Sequence, residues 1–249
     1  MASRKFMRPV SLGIVLVLVL CTLPLAADDP IAQADELYKK RIDLDNIHKA
    51  IAILNPVLEK EPANYDALWR IARCHWFLGD KVKGKEKLNL FIKGRDYAER
   101  ATKANDNGLE GHYWYGSLIG CVGQERGILN SLFMVKPMKA ELEKALAIDP
   151  KHADSHDVMA QLLWKVPGFA GGSKKKAQEE ARLATLYGPE ATEHWLHYGQ
   201  IAADNRDYKT ARMAFEKTLS LPDDPEDPVA SQKDKEEARK GLKEIEGKK

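Results

Sequence analysis

The stretch Trp195–Phe215 reads WLHYGQIAADNRDYKTARMAF and decides the fold. On both sides of its polar centre, small and apolar residues recur every three or four positions, the spacing that places them on one face of an α-helix. Gly199 and Ala211 are small enough to let two helices approach closely, and Trp195 and Phe215 can fill the space beside them. The stretch therefore predicts a pair of packed helices.

Related phrases recur along the chain. An alanine or valine stands five positions before each of Pro62, Pro150 and Pro189, and Asp106 takes the same place after Ala101. These marks, with a last one near residue 223, are separated by 44, 44, 39 and about 34 residues, and the last spacing equals the tetratricopeptide period. The chain is rich in Ala, Leu, Lys and Glu, which favour helix. We predict an all-α, tetratricopeptide-like helical hairpin solenoid of about five repeats.

The longer spacings predict insertions of about 10, 10 and 5 residues in the earlier units. We expect the second helix of the second unit to run on through Ala98 and Ala101, and an irregular piece from Gly123 to Met134 in the third. A final helix over about 230–246 has apolar residues on one face and Lys and Glu on the other, as a C-terminal capping helix needs.

The first 27 residues have the pattern of an export signal. A positive start at Arg4, Lys5 and Arg8 precedes the apolar run Val10–Leu20, which is too short to cross a bilayer. We expect cleavage near Ala27, a periplasmic or secreted protein, and a repeat domain over residues 28–249. Lipid attachment at Cys21 is the less favoured alternative, because Leu20 stands where a small residue is expected.

Charge and cysteine content narrow the class further. Without the three basic residues of the leader, the chain has 36 basic and 37 acidic residues. The sequence has no cluster of basic residues of the kind that indicates a nucleic-acid-binding protein. Cys74 and Cys121 remain after cleavage and have apolar neighbours, so we expect buried thiols. Export would also permit a disulfide between them, and this alternative stays open.

A proline- and glycine-rich segment, Val166–Ser173, interrupts the fourth unit. Ser173 is a suitable N-cap for the next helix. A phosphate-binding loop needs Gly-Lys-Ser/Thr after a strand, and here the order is Gly-Ser-Lys after a helix. Phe169 is too apolar for a plain solvent turn, so we expect it to reach the concave side or the next repeat, with Gly171 and Gly172 as further candidate binding residues. The alternative is a wide inter-helix turn.

Aromatic residues supply the other candidates for ligand or partner binding. In the run His112–Tyr115, Tyr113 and Trp114 must point away from the core position, either into the groove or against a neighbouring helix. Trp164, just before the glycine-rich segment, has the same two alternatives. Aromatic side chains with a polar group are common partner anchors.

The histidines suggest a metal site only weakly. His152 and His156 are spaced i, i+4, and His194 and His197 open the next repeat, but the zinc-protease pattern needs Glu directly after the first histidine, where Ala153 stands. We expect these rings to be hydrogen-bonded or solvated, with no metal and no cofactor. No nucleophile–base series stands out, so we predict a protein that is not an enzyme; an enzyme or metal protein using these histidines remains the alternative.

Three phrases resemble the T-component family of TRAP transporters, the TatT-like proteins: Gly111–Gly116, Gly127–Leu132 and Val166–Lys174. The resemblance covers roughly residues 44–245, and the Pro-Gly-Phe-x-Gly-Gly-Ser loop is its most specific part. Regulators of microtubule dynamics share a similar aromatic-glycine phrase, but the export signal argues against their cellular setting.

This resemblance implies a periplasmic auxiliary subunit of a TRAP-type uptake system. The expected partners are a periplasmic TRAP substrate-binding protein, a small hydrophobic solute and further copies of the chain, since members of that family oligomerise and carry an apolar channel. The alternative is a general tetratricopeptide adaptor of the cell envelope that binds proteins and has no role in transport.

Overall fold

The computed structural model describes residues 29–248, except for the side chains of residues 128–131. The predicted signal segment 1–27 and Cys21 lie outside these residues. The described part forms eleven α-helices and one short 3-10 helix, η1, at Gly168–Ala170. The α-helices are α1 Pro30–Lys39, α2 Leu44–Lys60, α3 Tyr65–Asp80, α4 Gly84–Ala104, α5 Leu109–Glu125, α6 Ile128–Ile148, α7 Ala153–Lys165, α8 Lys174–Tyr187, α9 Thr192–Asp204, α10 Tyr208–Ser220 and α11 Pro228–Glu244.

Consecutive helices pack as hairpins. The helices of each pair α1/α2, α3/α4, α5/α6, α7/α8 and α9/α10 pack against each other, and α11 packs on both members of the last pair. Ala238 and Ile245 of the α11 segment are buried against this pair, next to Phe215. The prediction of five helical hairpins closed by a C-terminal helix is therefore confirmed.

The solenoid has an inner and an outer surface. The first helices of the hairpins (α1, α3, α5, α7 and α9) and α11 each contact the next helix of that series, whereas the second helices show no comparable series of contacts in the described residues. Helices come closer together on the concave side of a curved stack. The first helices and α11 therefore form the inner surface.

The marks that reveal the repeat in sequence share one structural feature. The backbone carbonyl at the first four marks accepts a hydrogen bond from a side chain, which satisfies an acceptor at the turn between hairpins. The pairs are Pro62 with Arg100, Asp106 with His112, Pro150 with His156, and Pro189 with Trp195, at 2.8–3.0 Å.

Small residues allow the close packing predicted from the opening stretch. A Cβ added at Gly199 would lie 2.6 Å from the ring of Phe215, and one at Gly241 of α11 would also overlap that ring. The second helices bury alanines such as Ala181 and Ala211 completely. Phe215 is only 1% exposed, so it joins α9, α10 and α11.

The insertions lengthen the second helices. Both α4 and α6 have 21 residues, whereas α8 has 14 and α10 has 13. The predicted continuation of α4 through Ala98 and Ala101 is confirmed. The irregular piece expected over Gly123–Met134 is wrong, because α5 continues to Glu125 and α6 begins at Ile128; one glycine turn at Gly127, with φ +91°, separates the two helices.

Both cysteines of the described chain are free thiols. Burial raises the pKa of Cys74 to about 12 and that of Cys121 to about 11, so both stay protonated at neutral pH. Within residues 29–248, no helix combines the length and the apolar character that a membrane span requires.

Candidate protein-binding surface

Aromatic residues occupy the centre of the inner surface. Trp76 of α3 packs against Trp114 of α5 with ring centroids 5.6 Å apart, and Tyr113 meets Trp114 at 4.9 Å. Tyr113 also contacts the imidazole of His152 at the start of α7, at 5.1 Å. The aromatic residues predicted in the His112–Tyr115 run therefore link three successive first helices.

The two predicted aromatic candidates differ in accessibility. Trp114 is only 8% exposed, and its indole N–H donates to Glu110 Oε2 at 3.0 Å, so its ring packs between helices. Tyr113 is partly exposed, and burial together with the negative charges of Asp154 and Glu193 raises its pKa well above 10. Tyr113 thus presents a neutral phenol next to carboxylates.

Carboxylates and histidines cover the adjoining part of the inner surface, between α7 and α9. The Nδ1 of His197 lies 2.9 Å from Asp157 Oδ1, and the Nε2 of His194 lies 3.1 Å from Asp154 Oδ1. Asp157 is buried, whereas the side chain of Asp154 is 49% exposed. Asp154 therefore offers a carboxylate that a partner can reach.

Glu193 lies beside these pairs and is exposed. Neighbouring protein groups partly desolvate its carboxyl group, and this effect together with the negative charge of Asp157 raises its pKa to about 7. Burial lowers the pKa of His194, but the hydrogen bond to Asp154 and the charges of Asp157 and Glu193 outweigh it and raise that pKa to about 9. We call Asp154, Asp157, Glu193, His194 and His197 the acidic cluster.

The structure separates the histidines that the sequence grouped. His152 is the N-cap of α7 and lies 2.8 Å from Ser155 Oγ, so it does not share a helix face with His156. His156 faces Glu180 Oε2 and the carbonyl of Pro150. Burial lowers the pKa of His156, but these two contacts outweigh it and raise that pKa above its usual value. The expectation of hydrogen-bonded rings is confirmed for both histidines.

One group in the described residues has the composition of a metal site. Ligand atoms of Asp154, Glu193 and His194 lie within 4.8 Å of one another. Both ring nitrogens of His194 already have partners, because Nδ1 donates to the carbonyl of Gly188 and Nε2 faces Asp154. The geometry is that of a charged binding surface more than that of a preformed metal site.

Trp164 lies at the edge of the inner surface. Its indole N–H donates to Asp204 Oδ2 at 3.0 Å. With residues of α9, α10 and α11, including Gln200 and Tyr208, it lines an open cavity of about 400 Å³. This residue is therefore accessible from the inner side.

The expectation that Phe169 of the glycine-rich loop reaches the concave side or the next repeat is wrong. Phe169 is 87% exposed and packs neither into the groove nor on the next repeat. Gly171 has φ +102°, and a Cβ at Gly172 would overlap the carbonyl oxygen of Val166. Ser173 caps α8 as predicted, with the N–H of Lys176 donating to its Oγ at 3.4 Å.

A basic and aromatic region, which the sequence does not predict, lies at the other end of the inner surface. The guanidinium group of Arg73 lies 3.7 Å from the centre of the Tyr38 ring and donates to Asp35 at 2.8 Å. Arg70 donates to the same carboxylate and lies over Trp69 at 4.1 Å. These residues come from two hairpins, so a search for clustered charge along the chain does not find them.

A family model described as "Regulator of microtubule dynamics protein 1-3" matches residues 30–246, nearly the whole described chain. The chain belongs to this family. Among curated relatives, regulator of microtubule dynamics protein 1 of Mus musculus is 29% identical over 134 residues, covering 53% of this chain and 42% of the relative. The Bos taurus protein is 31% identical over the same share of this chain and 40% of its own length. The chain thus spans less than half the length of these relatives.

Solved structures support the fold. A thermophilic TPR protein of Thermus thermophilus aligns with a TM-score of 0.61 at 15% identity, covering 82% of this chain and 96% of that one. PilF of Pseudomonas aeruginosa aligns with a TM-score of 0.54 at 12% identity, covering 88% and 93%. At these identities the likeness shows a tetratricopeptide-like helical fold and no more.

Family membership overturns the resemblance to TRAP T-components. In the loop that supported it most, Val166–Ser173, Gly171 has a positive φ and Gly172 has no room for a side chain, so two of its three glycines serve the turn itself. A periplasmic or secreted location is also wrong, because the relatives are mammalian proteins named for regulating microtubules, which a periplasm does not contain. The aromatic-glycine phrase shared with the microtubule regulators was the better indication.

Proposed function

We propose that this protein is a non-enzymatic scaffold whose inner surface binds an extended, basic segment of a partner protein. The observation that carries the proposal is the junction of Tyr113 with the acidic cluster. There, Tyr113 packs on His152, two residues before Asp154, and the negative charges of Asp154 and Glu193 raise the pKa of its phenol. Lys and Arg side chains fit this combination, because their stems cover aromatic surface while their charges meet carboxylates.

The names of the relatives suggest where such a partner is found. They are regulators of microtubule dynamics, so we propose that the partner is a basic protein associated with microtubules. Tubulin itself is the second candidate, and a binding experiment separates the two.

The test is co-sedimentation of the full-length chain with microtubules of purified tubulin and, separately, with microtubules that carry their associated proteins. We expect sedimentation only with the second preparation. At pH 8, above the pKa of about 7 that Glu193 has in the folded chain, the double variant Asp154→Asn with Glu193→Gln should bind about three- to tenfold more weakly, the effect of losing two partly exposed ion pairs.

A matched control neutralises two exposed carboxylates on the outer helices, Glu143→Gln with Glu179→Gln, whose side chains are 60% and 59% exposed. These changes should leave sedimentation unchanged. Equal loss in both double variants, or sedimentation with neither preparation, would count against the inner surface as the binding site.

We also propose that the glycine-rich loop is a separate partner contact. Its exposed ring, Phe169, has no packing role in the hairpin, whereas Gly171 and Gly172 fix the backbone that presents it.

A further inference from the structure

The two ends of the solenoid touch. Arg41, in the turn between α1 and α2, donates to Glu226 Oε2 at 2.6 Å and to Asp224 Oδ2 at 3.4 Å, although 185 and 183 residues separate them in sequence. Lys81, at the end of α3, lies 3.9 Å from Asp227. The segment between α10 and α11 therefore reaches across to the first two hairpins.

This segment, Leu221–Asp227, has the sequence LPDDPED and is called the acidic linker below. Its ends are fixed to α11: Asp223 accepts from Gln232 and Lys235, and Asp227 is the N-cap of the helix. The side chains of Asp224 and Glu226 have no such role for α11. Their carboxylates are the groups that meet Arg41.

The receiving surface is built from cations over aromatic rings. Arg41 lies 5.1 Å from the centre of the Tyr38 ring and 5.9 Å from that of Phe77, and Lys81 lies 4.6 Å from Phe77. Tyr38 and Phe77 themselves make an edge-to-face contact at 6.0 Å. We call Tyr38, Arg41, Phe77 and Lys81 the basic patch.

Packing on the rings holds the cation of Arg41 in place. Its side chain is only 12% exposed, whereas those of Asp224 and Glu226 are 49% and 42% exposed. A fixed, half-desolvated guanidinium favours a carboxylate partner. The acidic side of the pair is the replaceable one, because the Asp224 and Glu226 side chains keep nearly half of their surface in solvent while Arg41 is held against the rings.

We propose that the basic patch is a binding site for an acidic peptide segment of a protein partner, and that the acidic linker occupies this site in the free chain as an internal competitor. The site is distinct from the acidic cluster, since it lies on the first two hairpins and its charged side chains are cations. The inference therefore goes beyond the proposed function and does not depend on microtubules.

The experiment measures the binding of a fluorescein-labelled peptide, Leu-Pro-Asp-Asp-Pro-Glu-Asp, to the full-length chain by anisotropy at low salt. Asp224→Asn with Glu226→Gln neutralises the competitor while keeping side-chain shape. We expect this double variant to bind the peptide about fivefold more tightly than the unaltered chain, because more of the patch is then free. Adding Arg41→Gln to it should weaken binding at least about tenfold.

Controls separate this outcome from a merely structural role. Glu143→Gln with Glu179→Gln changes the net charge equally and should leave peptide affinity unaltered. Circular dichroism verifies folding of each variant, and Lys81→Gln replaces Arg41→Gln if the latter does not fold. Absence of binding to the double variant, or equal binding with and without Arg41, would overturn the proposal and leave the linker as a structural tie only.

Discussion

At Gly172 the backbone passes so close to its own preceding turn that no side chain fits. The obstacle is the carbonyl oxygen of Val166, which is backbone and cannot rotate away. We therefore expect Gly172→Ala to lower the free energy of unfolding by about 2–3 kcal/mol. Gly168→Ala is the control in the same loop, because a Cβ there meets nothing within 4 Å. Thermal unfolding of the two variants tests the difference; equal melting temperatures would contradict it.

Phe169 and Phe215 carry the same side chain in opposite environments. Phe169→Ala should change the free energy of unfolding by less than about 0.5 kcal/mol, since the ring is exposed. Phe215→Ala should cost about 3–5 kcal/mol, because the ring is buried among three helices. If the loop is a partner contact, Phe169→Ala weakens partner binding with no loss of stability. A large stability loss would show instead that the ring packs.

The role of a single residue could be predicted from sequence where its interaction partner lies a few positions away. Ser173 as a helix cap is such a case, because its partner is three residues away. The pairing of His194 with Asp154 could not be predicted, because 40 residues separate the two. Phe169 was misjudged for a related reason, since an apolar residue in a turn does not reveal whether anything covers it.

At the scale of the helices, the α7–α9 junction makes stability depend on pH. In the folded chain the pKa of Glu193 rises from 4.5 to about 7, and that of His194 rises from 6.5 to about 9. At a pH between its two pKa values, each group is protonated in the folded chain and deprotonated in the unfolded chain. Their contributions are therefore present at low pH and are lost as pH rises, between about 4.5 and 7 for Glu193 and between about 6.5 and 9 for His194.

Chemical denaturation across this pH range measures the effect. Glu193→Gln should flatten the decline of the unfolding free energy in the lower window, and His194→Asn should flatten it in the upper window. His48→Asn is a control, because His48 is exposed on α2. An unchanged pH profile in both variants would show that neither group is coupled to folding.

Helix pairing was the most predictable level of this structure. The spacing of the marks at Pro62, Asp106, Pro150 and Pro189 indicated the hairpin order because each mark is a turn whose carbonyl is bonded within the chain. The place of the insertions was less predictable. An insertion that keeps helical periodicity lengthens a helix, as in α6. An insertion that contains glycines and a proline forms a loop instead, as in the segment that includes η1.

At the scale of the whole molecule, closure of the solenoid depends on few ion pairs. Arg41→Gln removes the two contacts to the acidic linker and should lower the free energy of unfolding by about 1 kcal/mol. It should also increase the radius of gyration in small-angle X-ray scattering, since the ends can then separate. Lys139→Gln, which removes a pair within one helix, is the control. An unaltered scattering curve would mean that packing alone closes the chain.

Neither this closure nor the two oppositely charged ends of the inner surface could be predicted from sequence. The balanced total charge hides them, because the basic patch and the acidic cluster each form only when the residues of two neighbouring hairpins come together in the fold. The resemblance to TRAP T-components was wrong for a related reason. Helical repeat proteins share small residues and turn glycines whatever they bind, so these residues indicate the fold and not the family.

The contact between the acidic linker and Arg41 has a consequence for how the molecule opens. An ordinary linear array of repeats frays from each end independently, since each repeat touches only its neighbours. Here the first hairpin and the segment leading to the last helix hold each other. Amide hydrogen exchange in α1 and α11 should therefore rise together when Arg41 is replaced, because the same contact restrains both ends of the solenoid.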